Sequence, residues 1–224
     1  MTVTDPKPPK SSIARARAAA RNGAFHWGRS GYDTFGYESP FFRQWVADQL
    51  PAEPCALLSI GCGSGEIEAH LASRGHRVVG LDRAHAMLKR AQRHGLGRLV
   101  EADADALPFS AGVFDDVLII ETLGYLEPGH VFAEARRVLK KRGRLIVTSY
   151  GARVDAEAHY RKWPLDEIAR AAIATGFRVA AQRWLDVKKK SVRDAASEAR
   201  ANLLYLAATS VGPMAARVSR GDKP

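Results

Sequence analysis

The chain has 224 residues, 46% hydrophobic and 26% charged, with two cysteines and a formal net charge of +10. That composition fits one medium-sized globular domain with extensions and is too apolar for a disordered chain. No apolar run approaches the roughly 18–20 residues that span a bilayer, MTVTDPKPPKSS lacks the apolar core of a secretory signal, and Cys55 with Cys62 excludes a disulfide scaffold, so a cytoplasmic protein is expected.

Residues 1–12 contain three prolines and little apolar mass and read as a disordered leader. Residues 13–50 form a helical and aromatic segment. Within it IARARAAARN is helix-prone, and the stretch from Phe25 to Trp45 is rich in aromatics but broken by Gly28, Gly31, Gly36 and Pro40. A helix is expected from Pro40 to Leu50, with Ser39 as N-cap.

From Cys55 strands and helices alternate. CALLSIG reads as a strand, EIEAHLASRG as a helix, RVVGLD as a strand and AHAMLKRAQRHG as a helix. RLVEAD is a third strand. VLIIE, within VFDDVLIIET, is a fourth strand with the continuous apolar character of burial on both faces. HVFAEARRVLKKRG is expected to be a helix ending in a basic turn at Gly143. RLIVTSY is a strand, PLDEIARAAIATG a helix, and FRVAAQRW and ANLLYLAAT two final strands. This order implies a doubly wound α/β domain over 51–212 with a mostly parallel sheet, followed by a flexible basic tail over 213–224.

The first strand runs into Ser59-Ile60-Gly61-Cys62-Gly63-Ser64-Gly65-Glu66. Glycines in a strand-to-helix turn permit a tight bend and let a ligand approach bare backbone, although such loops also serve simply as turns. The spacing is GxGxG, and Glu66 stands where a dinucleotide fingerprint has its third glycine. A carboxylate in the first helical turn opposes a pyrophosphate and argues against a nicotinamide dinucleotide. Asp82 ends the second strand, where a carboxylate reaches ribose hydroxyls or caps the next helix. In EADADALPF, Asp103 suits an exocyclic adenine amine and the Ala104 N–H an adenine ring nitrogen; the alternative is a plain acidic loop.

These segments together, LLSIGCGSGEIEAHLASRG, RVVGLDRAHAML, EADADALPFSAGVFDDVLIIE and EARRVLKKRGRLIVT, resemble the class I S-adenosylmethionine-dependent methyltransferases. The resemblance covers residues 55–150 well and 163–210 in pattern only. It implies a Rossmann-like, seven-stranded sheet with the last strand antiparallel, and S-adenosylmethionine as cofactor. On this resemblance Gly61, Gly63 and Gly65 line the methionine part, Asp82 with Arg83 beside it faces the ribose, and Asp103 and Ala104 hold the adenine. Met87 packs on the adenine, with Leu88 in that place or a core role for Met87 as the alternatives. Ser59 departs from the family, which usually has Asp or Glu there; the resemblance then implies either reduced cofactor affinity or compensation by Glu66 or Glu121.

Methyl transfer from a sulfonium is an in-line displacement in which positioning does much of the work, and a base is needed only if the acceptor must lose a proton early. Glu121, at the end of the fourth strand, is the acid–base candidate or else a structural or ammonium-binding carboxylate; Tyr125 and His159 are further catalytic candidates. His26, Trp27, Tyr32, Tyr37, Tyr150, Tyr160 and Trp163 are aromatic candidates for the acceptor pocket or for packing. The N-terminal aromatics are expected to close over the site as a lid. No HxxxH, HxH or CxxC spacing points to a metal, and Cys62 reads as a small spacer.

The charge is carried by the ends. Residues 1–30 and 183–224 each sum to +5, and the stretch between them is neutral. The neutral middle favours a small-molecule acceptor. RNA, held by the basic ends, is the alternative, weakened because ETLG replaces the aromatic–proline tetrapeptide of amino-methylating nucleic-acid enzymes. A non-catalytic cofactor-binding module is the third reading. A monomer or homodimer without a transmembrane segment is expected.

Overall fold

The computed structural model describes residues 39–150, 160–186, 191–194 and 203–210. The expected leader, most of the aromatic segment and the basic tail lie outside these residues.

The elements follow in chain order: α1 (Pro40–Asp48), β1 (Ala56–Ile60), α2 (Glu66–Ser73), β2 (Arg77–Asp82), α3 (His85–Arg93), β3 (Leu99–Glu101) and β4 (Phe114–Ile120). A single 3-10 turn (Leu123–Tyr125) leads to α4 (Pro128–Val138), β5 (Leu139–Tyr150), α5 (Leu165–Ala174), β6 (Phe177–Asp186), β7 (Ser191–Asp194) and β8 (Leu203–Ser210). The strands form one sheet in the order β3-β2-β1-β4-β5-β8-β6-β7. Pairing is parallel from β3 through β5, and β8 runs antiparallel to both β5 and β6. The seven expected strands are therefore present, with the last one reversed. An eighth, β7, pairs antiparallel with β6 at the edge. Its sequence, SVRD, is short and half charged, so it carries no alternation that a reading of the chain can detect.

Alternate residues of each central strand feed opposite faces, as the period of two requires. Leu58, Val117, Ile119, Leu145 and Val147 pack with Val131, Phe132 and Ala135 of α4 and Ile168 and Ala172 of α5. Leu57, Leu118, Ile120 and Ile146 pack with Phe42 and Val46 of α1, Ile67 and Leu71 of α2 and Ala91 of α3. Each fully buried Leu, Ile, Val or Phe contributes about 1.5–3 kcal/mol, which is why VLIIE needs no polar face.

One expected element is corrected. The helix read through to Gly143 stops at Val138, and Lys140-Lys141-Arg142-Gly143 belongs to β5. Leu139 is buried and pairs with Phe114, and the next pair is Asp116 with Arg144, so β5 bulges over its basic residues. Lys140 pairs with Asp115 at 2.8 Å. A Cβ on Gly143 would lie 2.8 Å from the Asp115 carbonyl oxygen. Tertiary pairing has thus overridden a strong local helix-end signal.

The end of the sheet opposite the glycine loop is pinned by charge. Arg144 donates to both oxygens of the buried Asp116, at 2.7 and 2.6 Å, and to the Gln49 carbonyl at 3.0 Å. Cys55 lies there, 3.2 Å from His76 Nδ1, and burial pushes its thiol up to about 11. That keeps it a thiol at neutral pH and unreactive. No helix among the described residues is long and apolar enough to cross a membrane.

Candidate active site

The site lies at the carboxyl ends of β1, β2 and β4, where an open α/β sheet leaves a crevice. Gly61, Gly63 and Gly65 have φ of 70°, 54° and 75°, a region that side chains strain to enter. Beyond that shared need, packing distinguishes them. A Cβ on Gly61 would fall 2.3 Å from Thr122 Cγ2, and one on Gly65 would fall 2.7 Å from Ala91. Those two glycines let the loop seat against the tip of β4 and against α3. Among the described residues a Cβ on Gly63 would meet only Met87 Cε, at 3.5 Å, so packing among them does not explain its bare backbone. The Gly61 and Cys62 amides both donate to the Leu81 carbonyl, at 2.7 and 3.0 Å, and stitch the loop to β2.

Asp82 reaches across from β2. Its Oδ2 accepts the Gly63 N–H at 2.9 Å and its Oδ1 accepts the Ala84 N–H at 2.8 Å. It therefore grips the loop and the entry to α3 at once. Burial raises its carboxyl above the ordinary range, against the pull of these backbone donors. Arg83 pairs with Asp103 at 3.3 Å, and the Asp105 N–H donates to Asp103 Oδ1 at 3.1 Å. Asp103 thus stands within the expected acidic loop with two partners already. Ala104, Met87 and Leu88 are all buried.

At the tip of β1 the Ser59 hydroxyl donates to Glu68 Oε1 of α2 at 2.5 Å, and both residues are buried. Burial pushes the Glu68 carboxyl up to about 7; the Ser59 bond pulls it down, and the nearby Asp82 and Glu66 push it further up. Burial, with Glu68 and Asp82 adding to it, also raises the Cys62 thiol. Cys62 is inert and acts as a spacer in the loop.

Glu121 follows β4 with φ of 54°, a strained value for a residue with a side chain. Its backbone N–H is held by the Thr148 carbonyl at 3.1 Å and the Thr148 hydroxyl at 3.2 Å. The residue is 3% exposed, and neither carboxylate oxygen has a hydrogen-bond partner among the described residues. Burial pushes the carboxyl up to about 8, and the nearby Thr148 hydroxyl tempers the shift without satisfying the group.

Around this tip stand three tyrosines. Tyr160 lies edge-on to Tyr125 with ring centres 4.9 Å apart, and 4.7 Å from Tyr150. Its hydroxyl sits 3.1 Å from Ser149 Oγ and accepts the Tyr150 N–H at 3.4 Å. Burial, and then the Glu121 charge, raise its phenol well above the usual value. Gly124 makes room for the ring, since a Cβ there would fall 2.4 Å from it. Trp163 is different: it is buried in the α4–α5 side of the core, donates its indole N–H to the Leu123 carbonyl at 3.1 Å, and carries the Arg161 guanidinium 3.5 Å above its ring. That placement suits packing and removes it from the expected acceptor wall.

The structure brings together Ser59, the three glycines, Asp82, Met87, Glu121 and Tyr125, with Tyr150 and Tyr160 adjoining. His26, Trp27, Tyr32, Tyr37 and His159 lie outside the described residues. The Ser59 hydroxyl is bonded to Glu68, a residue that sequence reasoning passed over. The signal was present: Glu68 shares the apolar helical face of Leu71 and Ala72 at spacings of three and four.

The geometry suits a cationic nucleoside. It offers open backbone at Gly63, a carboxylate at the tip of β2, and at the tip of β4 a buried carboxylate unpartnered among the described residues. Glu66 in the first turn of α2 disfavours a pyrophosphate. Residues 58–147 match the family described as "Methyltransferase domain". The chain is 32% identical over 191 residues to a malonyl-[acyl-carrier protein] O-methyltransferase of Geobacter sulfurreducens, covering 72% of this chain and 71% of that one. A ubiquinone biosynthesis O-methyltransferase of Xylella fastidiosa is 27% identical over 118 residues, covering 50% of this chain and 48% of the relative. Among solved structures, the 1,6-didemethyltoxoflavin-N1-methyltransferase of Burkholderia thailandensis, with bound S-adenosylhomocysteine, superposes with a TM-score of 0.66 at 20% identity, over 94% of each chain. With this sheet order, this glycine loop and these relatives, the chain belongs to the S-adenosylmethionine-dependent methyltransferases.

Proposed function

We propose that this methyltransferase acts on a small-molecule acceptor, which enters between the tip of β4 and the Tyr125–Tyr150–Tyr160 cluster. The observation that carries the proposal is Glu121: a buried carboxylate with no hydrogen-bond partner among the described residues, on a strained backbone, beside three tyrosines. Leaving such a group unsatisfied costs free energy that a ligand recovers. Bound S-adenosylmethionine supplies a methyl carbon already activated on a sulfonium. The protein's part is then largely to align an acceptor atom with that carbon and to exclude water.

Glu121 suits two tasks in that arrangement. A cation drawn into the site favours its ionised form, and an ionised Glu121 takes a proton from an acceptor hydroxyl or amine. The tyrosine rings provide a wall that suits a flat or cationic acceptor. The malonyl-[acyl-carrier protein] relative is an O-methyltransferase and the toxoflavin-type structure an N-methyltransferase, and a buried carboxylate here is compatible with proton removal from a hydroxyl or an amine acceptor. The neutral charge of the central residues supports a small acceptor over RNA.

The test is transfer of a labelled methyl group from S-adenosylmethionine into pooled small metabolites and, separately, into RNA. Label in the small-molecule fraction that falls about 100-fold or more with E121Q supports the proposal, at the scale expected for loss of a general base. Label in RNA alone refutes it.

A further inference from the structure

The tip of β1 bears a hydroxyl where the family resemblance leads one to expect a carboxylate, and α2 supplies a carboxylate at that same point. Ser59 is 1% and Glu68 3% exposed, and the 2.5 Å bond between them is short. The Ser59 hydroxyl and Glu68's own backbone N–H are neutral donors, weak compensation for burying a carboxylate beside Ile67 and Leu71 of the same helix. A leucine at 68 would continue the apolar face without that cost. The ionisable groups that act on Glu68 are Asp82 from β2 and Glu66 from α2, with the Cys62 thiol of the loop close by; none of them is a cation. Among the described residues the arrangement therefore lacks a positive charge to balance Glu68.

We propose that Glu68, acting through Ser59 beneath the glycine loop, is the carboxylate that positions the cationic end of the cofactor, a charge moved from β1 onto α2. The inference rests on the chain's use of S-adenosylmethionine. Glu68 is a positioning residue: it fixes the Ser59 hydroxyl and places a negative charge below the loop. The high proton affinity of the buried group links its ionisation to arrival of the cation, so binding releases a proton near neutral pH.

The experiment is titration calorimetry of the full-length protein with S-adenosylmethionine and S-adenosylhomocysteine, in buffers of different ionisation heat. The variants are E68Q, E68L and the exchange S59D/E68L. The expected result is affinity weakened about tenfold or more in E68Q and E68L, the scale of one hydrogen bond to a charged group. Fewer protons are released by E68Q, and the exchange variant recovers affinity to within about threefold of the wild type. Recovery in S59D/E68L is the reading that a purely packing role cannot produce, and because it keeps one buried carboxylate it serves even where E68L folds poorly. E68Q that binds like the wild type with the same proton release overturns the inference, as does a cooperatively folded S59D/E68L that stays as weak as E68L. A wild-type protein that binds neither compound overturns the cofactor assignment itself, which distinguishes the two failures.

Discussion

The Asp82 carboxylate accepts the Gly63 N–H at 2.9 Å and, with its other oxygen, the Ala84 N–H at 2.8 Å, so one side chain at the tip of β2 fixes both the glycine loop and the start of α3. Replacing it with alanine frees two backbone donors, each bonded to a charged acceptor worth roughly 1.5–3 kcal/mol. D82A is expected to weaken S-adenosylmethionine binding by about 10–100-fold, with D82N intermediate. Calorimetry checks this, and unchanged affinity in D82A contradicts the placement.

Glu121 makes the stability of the ligand-free protein depend on pH. Its folded pKa, about 8, lies above the ordinary value of 4.5. The unfolded chain releases the proton first, so stability is full below about pH 4.5 and falls as pH rises toward 8. Glu68 adds a loss of the same sign between 4.5 and about 7. E121Q is therefore expected to melt at a higher temperature than the wild type at pH 8.5 and equally at pH 4. Thermal melts across that range decide it; a wild type that gains stability from pH 5 to 8 relative to E121Q reverses the sign.

Gly61 tolerates no side chain. At φ of 70° an alanine is strained, and its Cβ meets Thr122 Cγ2 at 2.3 Å. G61A is expected to destabilise by about 2–4 kcal/mol, combining left-handed strain with overpacking. G95A, at φ of 91° with nothing within 4 Å, carries only the strain, about 1–2 kcal/mol. Denaturant unfolding of the pair measures the packing part; equal losses exclude the Thr122 contact as its source.

The aromatic residues His26, Trp27, Tyr32 and Tyr37 bear on turnover if they close over the site. A protein lacking residues 1–37 retains α1 and all the strands described above, so cooperative melting is expected to persist. Methyl transfer is expected to fall below detection. Full activity in the shortened protein removes the lid from the mechanism.

Much of the domain was legible along the chain because it is built from local repeats. The strand–loop–helix passage at Gly61–Gly65, the carboxylate at Asp82 and the apolar run at β4 each follow from short-range rules, and together they identify the family. The helix end at Lys140–Gly143 misled, because pairing of Leu139 with Phe114 outweighs a local basic-turn signal. β7 was invisible because four residues with two charges show no period.

The amino-acid order alone settled which residues stand at strand ends and that their chemistry suits a nucleoside cation, since periodicity and turn residues act over a few positions. Only the packed sheet decided which of those groups meet. Ser59 found Glu68, Trp163 went to the core, and Glu121 was left buried without a hydrogen-bond partner among the described residues. Those outcomes depend on how helices lie across strands distant in the chain, and burial there sets the charge of each carboxylate.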